Sequence, residues 1–475
     1  MNNEIKLRLS SLLKQEALEC LQSLTTHGIP NFFRTKYNVI KIMWLLITLV
    51  STCLSIYFII ETYLEYFEYN VNTEVRLVET RELDFPVVTI CNRNKFSDEK
   101  SIDFIKKFLI DTYNASYQKV IDNVKDYQNI IISLRYYLQN IEAKYLFSEF
   151  KINERSSLTK SLPKILTECK FATEDCSKLK NEEFQWIFNS KYGNCYRFNT
   201  NQTKKIKKLS KQNGLKLQFY MGQPEEINLL GLEKGLFISI DSANSNPFSY
   251  LNNVIEISTG TETNIMIEKS IFDKYPKPYS DCKLDDTNIL QDINSKYYKQ
   301  VMESNYSYSQ SLCIKFCRHD LLSQTLSCKF RSSSIYVPGV IYCDPFQINF
   351  QKDINLDNGE LYNETNQADL INKCFHECPL ECLKIKYNNI VSSVKYPEIF
   401  YELLKSEFEK GKSLNLTNLI SYQLYDLTNL HNDLINININ FGSMSYINYK
   451  ESPVMSLFEL ISNLGGTLGL FLGMI

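Results

Sequence analysis

The stretch that decides the fold is Ile42–Ile60, IMWLLITLVSTCLSIYFII, which runs for 19 residues without a charged side chain. At about 1.5 Å of rise per residue it forms a helix of about 28 Å, which matches the hydrocarbon core of a bilayer. A cleaved signal peptide is disfavoured because 41 residues precede the run and no small-residue cleavage site follows it. A buried helix of a soluble protein rarely lacks a polar face for so long. The sequence therefore predicts a transmembrane helix over residues 42–60.

Charged residues flank this run unevenly. Up to Lys41 the chain carries six basic and three acidic residues, whereas Glu61–Asp84 carries seven acidic and two basic ones. Because segments rich in Lys and Arg stay on the cytoplasmic side of a membrane, we expect residues 1–41 in the cytosol and residues 61–454 outside the cell. The sequence therefore predicts a plasma-membrane protein with a large extracellular domain.

A second apolar stretch, Met455–Ile475 (MSLFELISNLGGTLGLFLGMI), carries one acidic residue, Glu459. Glycine is poor in soluble helices but common where membrane helices pack closely. Four glycines lie here: Gly465, Gly466, Gly469 and Gly473. Because a terminal carboxylate in hydrocarbon is costly, we expect residues 455–475 to be the start of a truncated second transmembrane helix in a multi-pass protein. The alternative is a C-terminal core helix of a single-pass protein.

Composition and motifs exclude several classes of function. Lys+Arg 52 against Asp+Glu 54 leaves a net charge of -2, so there is no overall attraction to nucleic acid. Hydrophobic residues make up 44% of the chain, which excludes a disordered protein. The four histidines form no H-E-x-x-H motif, and G-x-S-x-G, Walker and G-x-G-x-x-G motifs are lacking. We therefore expect neither an enzyme nor a bound cofactor or metal.

Cysteine usage indicates an oxidising compartment. Of the 14 cysteines, Cys20 falls in the cytosolic segment and Cys53 in the first span, which leaves twelve from Cys91 to Cys382. An even set of this size on the extracellular side is typical of disulfides. The same segment holds five Asn-x-Ser/Thr acceptor sites for N-glycans, which are Asn114, Asn201, Asn305, Asn363 and Asn415.

The spacing of the later cysteines favours one pattern of pairing. Residues four apart lie on one face of a helix, and this spacing recurs in Cys313/Cys317 and in Cys374/Cys378/Cys382. Two antiparallel segments would then be linked like a ladder, although twelve cysteines allow many other connectivities. The favoured pairs are Cys313–Cys378, Cys317–Cys374, Cys282–Cys382, Cys328–Cys343, Cys169–Cys176 and Cys91–Cys195. A structural zinc site in the second group, completed by His376 or His319, is the alternative.

The remaining periodicities predict a mixed α+β extracellular block. One helix starts near Ser97, and its apolar face comprises Ile102, Ile105, Phe108 and Leu109. Further helices are predicted over 118–150 and 398–409. By contrast, apolar residues alternate with asparagines in a segment that is predicted to be a half-buried strand. The apolar members of this segment are Ile435, Ile437, Ile439 and Phe441.

Five motifs in order resemble those of the degenerin/epithelial sodium channel/acid-sensing ion channel family. They are Phe85–Asn92 (FPVVTICN), Gly193–Asn199 (GNCYRFN), Pro276–Cys282 (PKPYSDC), Cys378–Cys382 (CPLEC) with Tyr387, and Gly465–Gly473 (GGTLGLFLG). The resemblance implies two membrane helices flanking a disulfide-rich extracellular domain with a β-sheet palm. It also implies an amiloride-sensitive subunit that conducts sodium ions, works in a homo- or heterotrimer, and is gated by a ligand, protons or force.

The resemblance also implies roles for single residues. His27 and Gly28 match the cytosolic gating dipeptide of the family. Ser462 falls at the position where a bulky side chain holds the family's pores open, and Gly473 at the start of the Gly-x-Ser filter. Tyr69 and Tyr279 align with an aromatic contact of the family that couples the extracellular domain to the first span.

The sequence departs from the family's pattern at two places. Ile475 stands where the filter serine is expected, so the filter is incomplete in this sequence. Asn70 and Val71 stand where acid-sensing members carry paired histidines, so proton gating by that route is not expected. We therefore predict a sodium-channel subunit, and the alternative is a non-conducting, membrane-anchored receptor or regulatory subunit with a ligand-binding extracellular domain.

Overall fold

The computed structural model describes residues 15–17, 19–23, 28–113, 156–176, 183–189, 192–222, 234–243, 245–247, 254–283, 295–304, 306–326, 354–355, 360–361, 372–396 and 432–473. The chain forms two compact units. The helical unit comprises Met1–Glu74, Lys274–Asp281 and Lys450–Ile475, and the disulfide-rich unit comprises Val75–Asp273 and Cys282–Tyr449. The helices predicted over 118–150 and 398–409 lie outside the described residues.

The helical unit is built on one long helix, α2 (Asn38–Phe67), which contains the apolar run of the sequence and extends it at both ends. No glycine or proline interrupts α2. Two threonine hydroxyls donate to carbonyls one turn earlier in the same helix, Thr52 to Thr48 and Thr62 to Phe58. Among the described helices, α2 alone is long and apolar enough to cross a membrane. A shorter helix, α1 (Gly28–Arg34), packs against it.

The second apolar stretch forms α7 (Leu457–Leu472), which packs against α2. A capping box starts α7, because the Ser456 hydroxyl accepts from the Glu459 N–H and the Glu459 carboxylate accepts from the Ser456 N–H. At the other end Gly473 adopts a left-handed conformation with φ 64°, and its N–H donates to the Gly469 carbonyl. Glycine suits this position because it has no Cβ to clash.

The disulfide-rich unit contains a five-stranded antiparallel sheet. Its strands are β3 (Val87–Asn92), β6 (Phe184–Asn189), β7 (Gly193–Phe198), β10 (Leu236–Asp241) and β11 (Val254–Ile257), in the spatial order β11-β10-β3-β7-β6. Every residue of the central strand β3 is buried, which explains its nearly continuous apolar sequence. Cys91 and Cys195 lie opposite each other on β3 and β7 and are disulfide-bonded.

A seven-stranded sheet forms the other half of the core. It comprises β1 (Val71–Glu79), β4 (Leu166–Phe171), β5 (Glu174–Asp175), β9 (Leu215–Tyr220), β12 (Thr261–Asp273), β15 (Leu383–Lys395) and β16 (Leu434–Pro453). The order is β15-β12-β16-β9-β4-β5, and β1 pairs with β16. The antiparallel pair β12/β15 extends over all 13 residues of each strand.

The long strand β16 corrects one prediction. Ile435, Ile437 and Ile439 are fully buried, as expected, and each contributes about 1.5–3 kcal/mol of hydrophobic free energy. However, Asn436 and Asn438 on the opposite face are also buried, so this segment is not half-buried. The amide of Asn438 is accommodated because it donates to the carboxylate of Glu262 at 2.8 Å and to the Asn264 side-chain oxygen at 3.0 Å.

A smaller cluster of helices completes this unit. It contains α5 (Lys296–Met302), α6 (Gln310–Leu326) and the helical residues 372–377. Two further strand pairs are described, β2 (Leu83–Asp84) with β8 (Lys205–Ile206) and β13 (Ile354–Asn355) with β14 (Glu360–Leu361). The structure also describes the helices α3 (Lys100–Tyr113) and α4 (Leu162–Ile165) and a short 3-10 helix (Lys211–Asn213). The predicted helix near Ser97 is therefore α3. Ser97 itself does not cap α3, because its hydroxyl accepts from Asn92 and Lys160.

Candidate functional site

The predicted pore and gating residues that the structure describes belong to the helical unit, in which α2 contacts both α1 and α7. Four small hydroxyl residues form one face of α2 at helical spacing: Thr48, Ser51, Thr52 and Ser55. Ser55 is buried, and its hydroxyl has no hydrogen-bond partner among the described residues. The other faces of α2 are apolar and exposed, as shown by Leu45 at 52% and Tyr57 at 60%. The sequence prediction missed this polar face because it considered only that the segment lacks charged residues, and not the spacing of its hydroxyl residues.

Gly28 of the predicted gating dipeptide lies against Thr48. A Cβ placed on Gly28 would collide with the Thr48 hydroxyl and lie 3.0 Å from Thr48 Cγ2. The Thr48 side chain is held in place because its hydroxyl donates to the Trp44 carbonyl at 2.6 Å. His27, the other member of the dipeptide, lies outside the described residues.

The C-terminal end of α7 also contacts the polar face of α2. The Ser51 hydroxyl donates to the carbonyl of Phe471, one of the carbonyls that the end of a helix leaves without an intrahelical partner. The Phe471 ring stacks on Phe58 with a centroid distance of 5.5 Å. Gly473, the predicted first residue of the filter, follows directly after α7. Ile475 lies outside the described residues.

Three other predicted residues of α7, Ser462, Gly465 and Gly466, are exposed in the described part of the chain, and Gly469 is half-buried. Built Cβ atoms on Gly465 and Gly466 would meet nothing within 4 Å. Ser462 is exposed, and the apolar side chains of Phe458 and Leu470 are each 79% exposed. α7 therefore presents a glycine-bearing apolar surface that no other described segment of the chain covers.

Tyr69 and Tyr279 are in contact, as the sequence predicts, with ring centroids 5.4 Å apart in an edge-to-face arrangement. The ring centroid of Tyr275 lies 5.1 Å from that of Tyr279, and the backbone N–H of Tyr275 donates to the Glu451 carboxylate. Tyr69 follows the end of α2 in a left-handed conformation with φ 52°. Partial burial and the neighbouring tyrosines raise the pKa of Tyr279.

Five disulfides join described residues of the disulfide-rich unit. The structure joins Cys91–Cys195, Cys169–Cys176, Cys282–Cys382, Cys313–Cys378 and Cys317–Cys374. The last two form the ladder between α6 and residues 374–378, with Cα atoms 5.7 Å apart in each pair. The alternative of a structural zinc site is wrong, because every cysteine of that group is consumed by a disulfide. Cys328 and Cys343 lie outside the described residues.

Glu381 fixes the first turn of α6 beside this ladder. Its buried carboxylate accepts the Gln310 N–H at 3.0 Å and the Lys384 ammonium at 2.7 Å. Burial opposes the charge, but these two donors outweigh it and lower the pKa of Glu381. A carboxylate at a helix N-terminus also complements the helix dipole.

Only one predicted glycan acceptor falls in the described residues. Asn201 is exposed in a turn that follows β7. The other four acceptors, Asn114, Asn305, Asn363 and Asn415, lie outside the described residues, so their exposure stays a prediction.

The described residues thus define a protein with one helix that is long and apolar enough to cross a membrane and a second, glycine-bearing apolar helix. They also define a disulfide-rich, sheet-containing unit of extracellular character. The chain belongs to the amiloride-sensitive sodium channel family, which its residues 20–474 match. This confirms the resemblance seen in the sequence motifs.

Individual relatives agree with this membership. The human bile acid-sensitive ion channel is 25% identical over 474 residues, which cover 95% of this chain and 81% of the relative. The mouse epithelial sodium channel subunit beta is 23% identical over 513 residues, covering 91% and 75% respectively. Acid-sensing ion channel 1 of Gallus gallus is 23% identical over 472 residues, covering 95% and 80%. The family consists of ion channels rather than enzymes, and the membership favours a gated sodium channel subunit over a non-conducting receptor.

Proposed function

We propose that this chain is one of three subunits that surround a sodium-selective, amiloride-sensitive pore in the plasma membrane. In this proposal α2 and α7 both cross the bilayer, residues 1–41 are cytosolic, and the disulfide-rich unit is extracellular. The partners are copies of the chain or related subunits, as the name of the epithelial sodium channel relative indicates for that protein.

The observation that carries the proposal is the uncovered surface of α7. Membrane helices associate through small residues that allow close backbone approach, and Gly465 and Gly466 face open space in the single chain. The α7 surface also includes the exposed Ser462, whose hydroxyl suits a helix that faces water on one side. Sister copies at this surface would bury the glycines and enclose a polar path.

Ion selection is assigned to the end of α7. Gly473 stands at the first filter position, where backbone carbonyls at a narrow ring replace water around a sodium ion. Its left-handed conformation turns the chain out of the helix at this point. The Ser51 hydroxyl on the carbonyl of Phe471 supports the helix end from which this turn begins.

Gating is assigned to movement of the extracellular domain, and the Tyr69–Tyr279 contact beside the end of α2, within the helical unit, is the point at which we expect this movement to act on α2. A stimulus shifts the populations of closed and open states only if it binds or deforms the two states differently. Asn70, at a position where acid-sensing members carry histidine, donates its amide to Glu68 and cannot act as a proton sensor at neutral pH. We therefore favour a ligand or force as the stimulus over protonation at that position.

The test is a recording of amiloride-sensitive sodium current in oocytes that express the full-length subunit. Ser462→Phe places a bulky side chain at the crowded pore position and should raise the resting current. Thr62→Phe, on α2, is the control and should leave the resting current near the wild-type level. An unchanged leak in the Ser462→Phe variant, at normal surface expression, would contradict the pore assignment.

A further inference from the structure

The gating dipeptide has a structural requirement that the sequence does not explain. Gly28 is not among the residues with positive φ, so its backbone conformation is open to any amino acid. The space for a side chain is instead taken by Thr48, whose Cγ2 and Cβ would lie 3.0 and 3.2 Å from an added Cβ. Glycine is therefore needed at residue 28 because of its neighbour and not because of its own backbone.

Thr48 cannot easily move away from this contact. Its hydroxyl is fixed on the Trp44 carbonyl at 2.6 Å, and a β-branched side chain in a helix has few rotamers. Any residue larger than glycine at position 28 must therefore displace α1 from α2, because the receiving side chain will not rotate aside.

The same turn of α2 contacts the end of α7. Ser51 is three residues after Thr48, which places its side chain about 4.5 Å further along the same face. Its hydroxyl donates to the carbonyl of Phe471, two residues before Gly473. One turn of α2 thus touches both the gating glycine and the end of the helix that precedes the filter.

We propose that Thr48 is a positioning residue for gating: it forms the seat of Gly28, and the turn Thr48–Ser51 connects this seat to the end of α7. The inference rests on the proposed function for its meaning in gating, whereas the contact itself stands without it. A displaced α1 would shift the Thr48–Ser51 turn and, through Ser51, the helix end at Phe471.

The functional test is size compensation. Gly28→Ala should lower the amiloride-sensitive current about tenfold at unchanged surface expression, the effect expected when one methyl group overpacks a close contact. Thr48→Ala removes the colliding hydroxyl and methyl, so the double variant Gly28→Ala/Thr48→Ala should recover to within about twofold of Thr48→Ala alone. Thr62→Ala is the matched control, since its hydroxyl bonds only the Phe58 carbonyl of its own helix. The proposal would be overturned if Thr48→Ala failed to restore the current of Gly28→Ala, or if Thr62→Ala restored it equally well.

A second measurement does not depend on conduction. With Cys20 and Cys53 replaced by Ser, the pair Gly28→Cys/Thr48→Cys should form a disulfide in oxidised membranes, because 3.2 Å between the Cβ atoms is close to the about 3.8 Å of a disulfide. The pair Gly28→Cys/Thr62→Cys should not. Peptide mapping of the cross-link answers whether Thr48 seats Gly28 even if no current is found. Current is recorded from the Cys20→Ser/Cys53→Ser protein that keeps Gly28 and Thr48. Cross-linking in the paired variant with no current in this parent protein would count against the proposed channel function, whereas current in the parent without cross-linking in the paired variant would count against the seat.

Discussion

The two units of this chain satisfy their apolar surfaces in different ways. The disulfide-rich unit buries its own core, with Ile437 and Phe219 fully inaccessible, and four of the disulfides among its described residues join segments that are distant in sequence. The helical unit leaves Val39 80% and Leu470 79% exposed. The described core of the first unit is thus covered by its own chain, whereas the proposed function has the second unit covered by lipid and by other subunits. Structural integrity and conduction are therefore expected to respond to different substitutions.

The largest effect on current is expected at the exposed glycine surface of α7, where the proposal places the contact with other subunits. Gly466→Leu fills the open space that the proposed subunit packing requires, so current should fall more than about tenfold and the oligomer should dissociate in detergent. Val50→Leu adds bulk to an exposed position of α2 and should change neither measurement by more than about twofold. Native mass spectrometry and current recordings check both variants. An intact oligomer with normal current in Gly466→Leu would show that this surface is not an interface.

The next effect belongs to the disulfide-rich unit. Cys317→Ser with Cys374→Ser opens one rung of the ladder and should destabilise this unit by about 2–4 kcal/mol. Cys53→Ser changes a free cysteine of α2 and should leave the stability unaltered. Thermal unfolding of the purified protein measures the difference. Equal melting temperatures for the Cys317→Ser/Cys374→Ser variant and the Cys53→Ser control would mean that the Cys317–Cys374 disulfide does not stabilise the unit.

A smaller effect with a defined pH dependence is expected at Glu381. Glu381→Gln weakens the two bonds to Gln310 and Lys384 and should cost about 1–3 kcal/mol at neutral pH. Because folding lowers the pKa of Glu381, its contribution is complete above the usual pKa of about 4.3 and is lost as pH falls through the lower, folded value. The difference between wild type and Glu381→Gln should therefore shrink below about pH 4. The exposed Glu377→Gln is the control, and a difference independent of pH would contradict the assignment.

The smallest effect is expected at the hydrogen bond between Ser51 and the Phe471 carbonyl. Ser51→Ala removes one bond, worth about 1 kcal/mol, and should change the open-state population a few-fold without lowering surface expression. Single-channel recordings of open probability measure this change. Thr62→Ala serves as the control, and equal open probabilities in Ser51→Ala and wild type would remove Ser51 from the gating account.

How much the sequence revealed differs between the two units for physical reasons. The first membrane helix and the cysteine ladder follow from local patterns, namely an uncharged run and cysteines four residues apart. The close contact of Gly28 with Thr48 joins separate elements, and no local pattern marks it. The spacing of Thr48, Ser51 and Ser55 was available as a signal, since it defines one polar face within an apolar run.

The asparagines of β16 show a second limit of sequence patterns. Their alternation with isoleucines predicts a solvent-exposed face, yet Asn436 and Asn438 are both buried. Asn438 can enter the core because other side chains supply its hydrogen bonds. The partners of Asn438, Glu262 and Asn264, come from a strand more than a hundred residues earlier in the chain. Only the assembled sheet brings them together.

The central claim is that α7 lines a water-filled pore formed by several subunits, and thiol accessibility tests it most directly. In a Cys20→Ser/Cys53→Ser background, Ser462→Cys should react with an impermeant, positively charged thiol reagent applied from outside, and the amiloride-sensitive current should change irreversibly. The same treatment of the Val50→Cys variant, on the exposed face of α2, should leave the current unaltered. An unmodified current in Ser462→Cys channels that are open and at the surface would contradict the account.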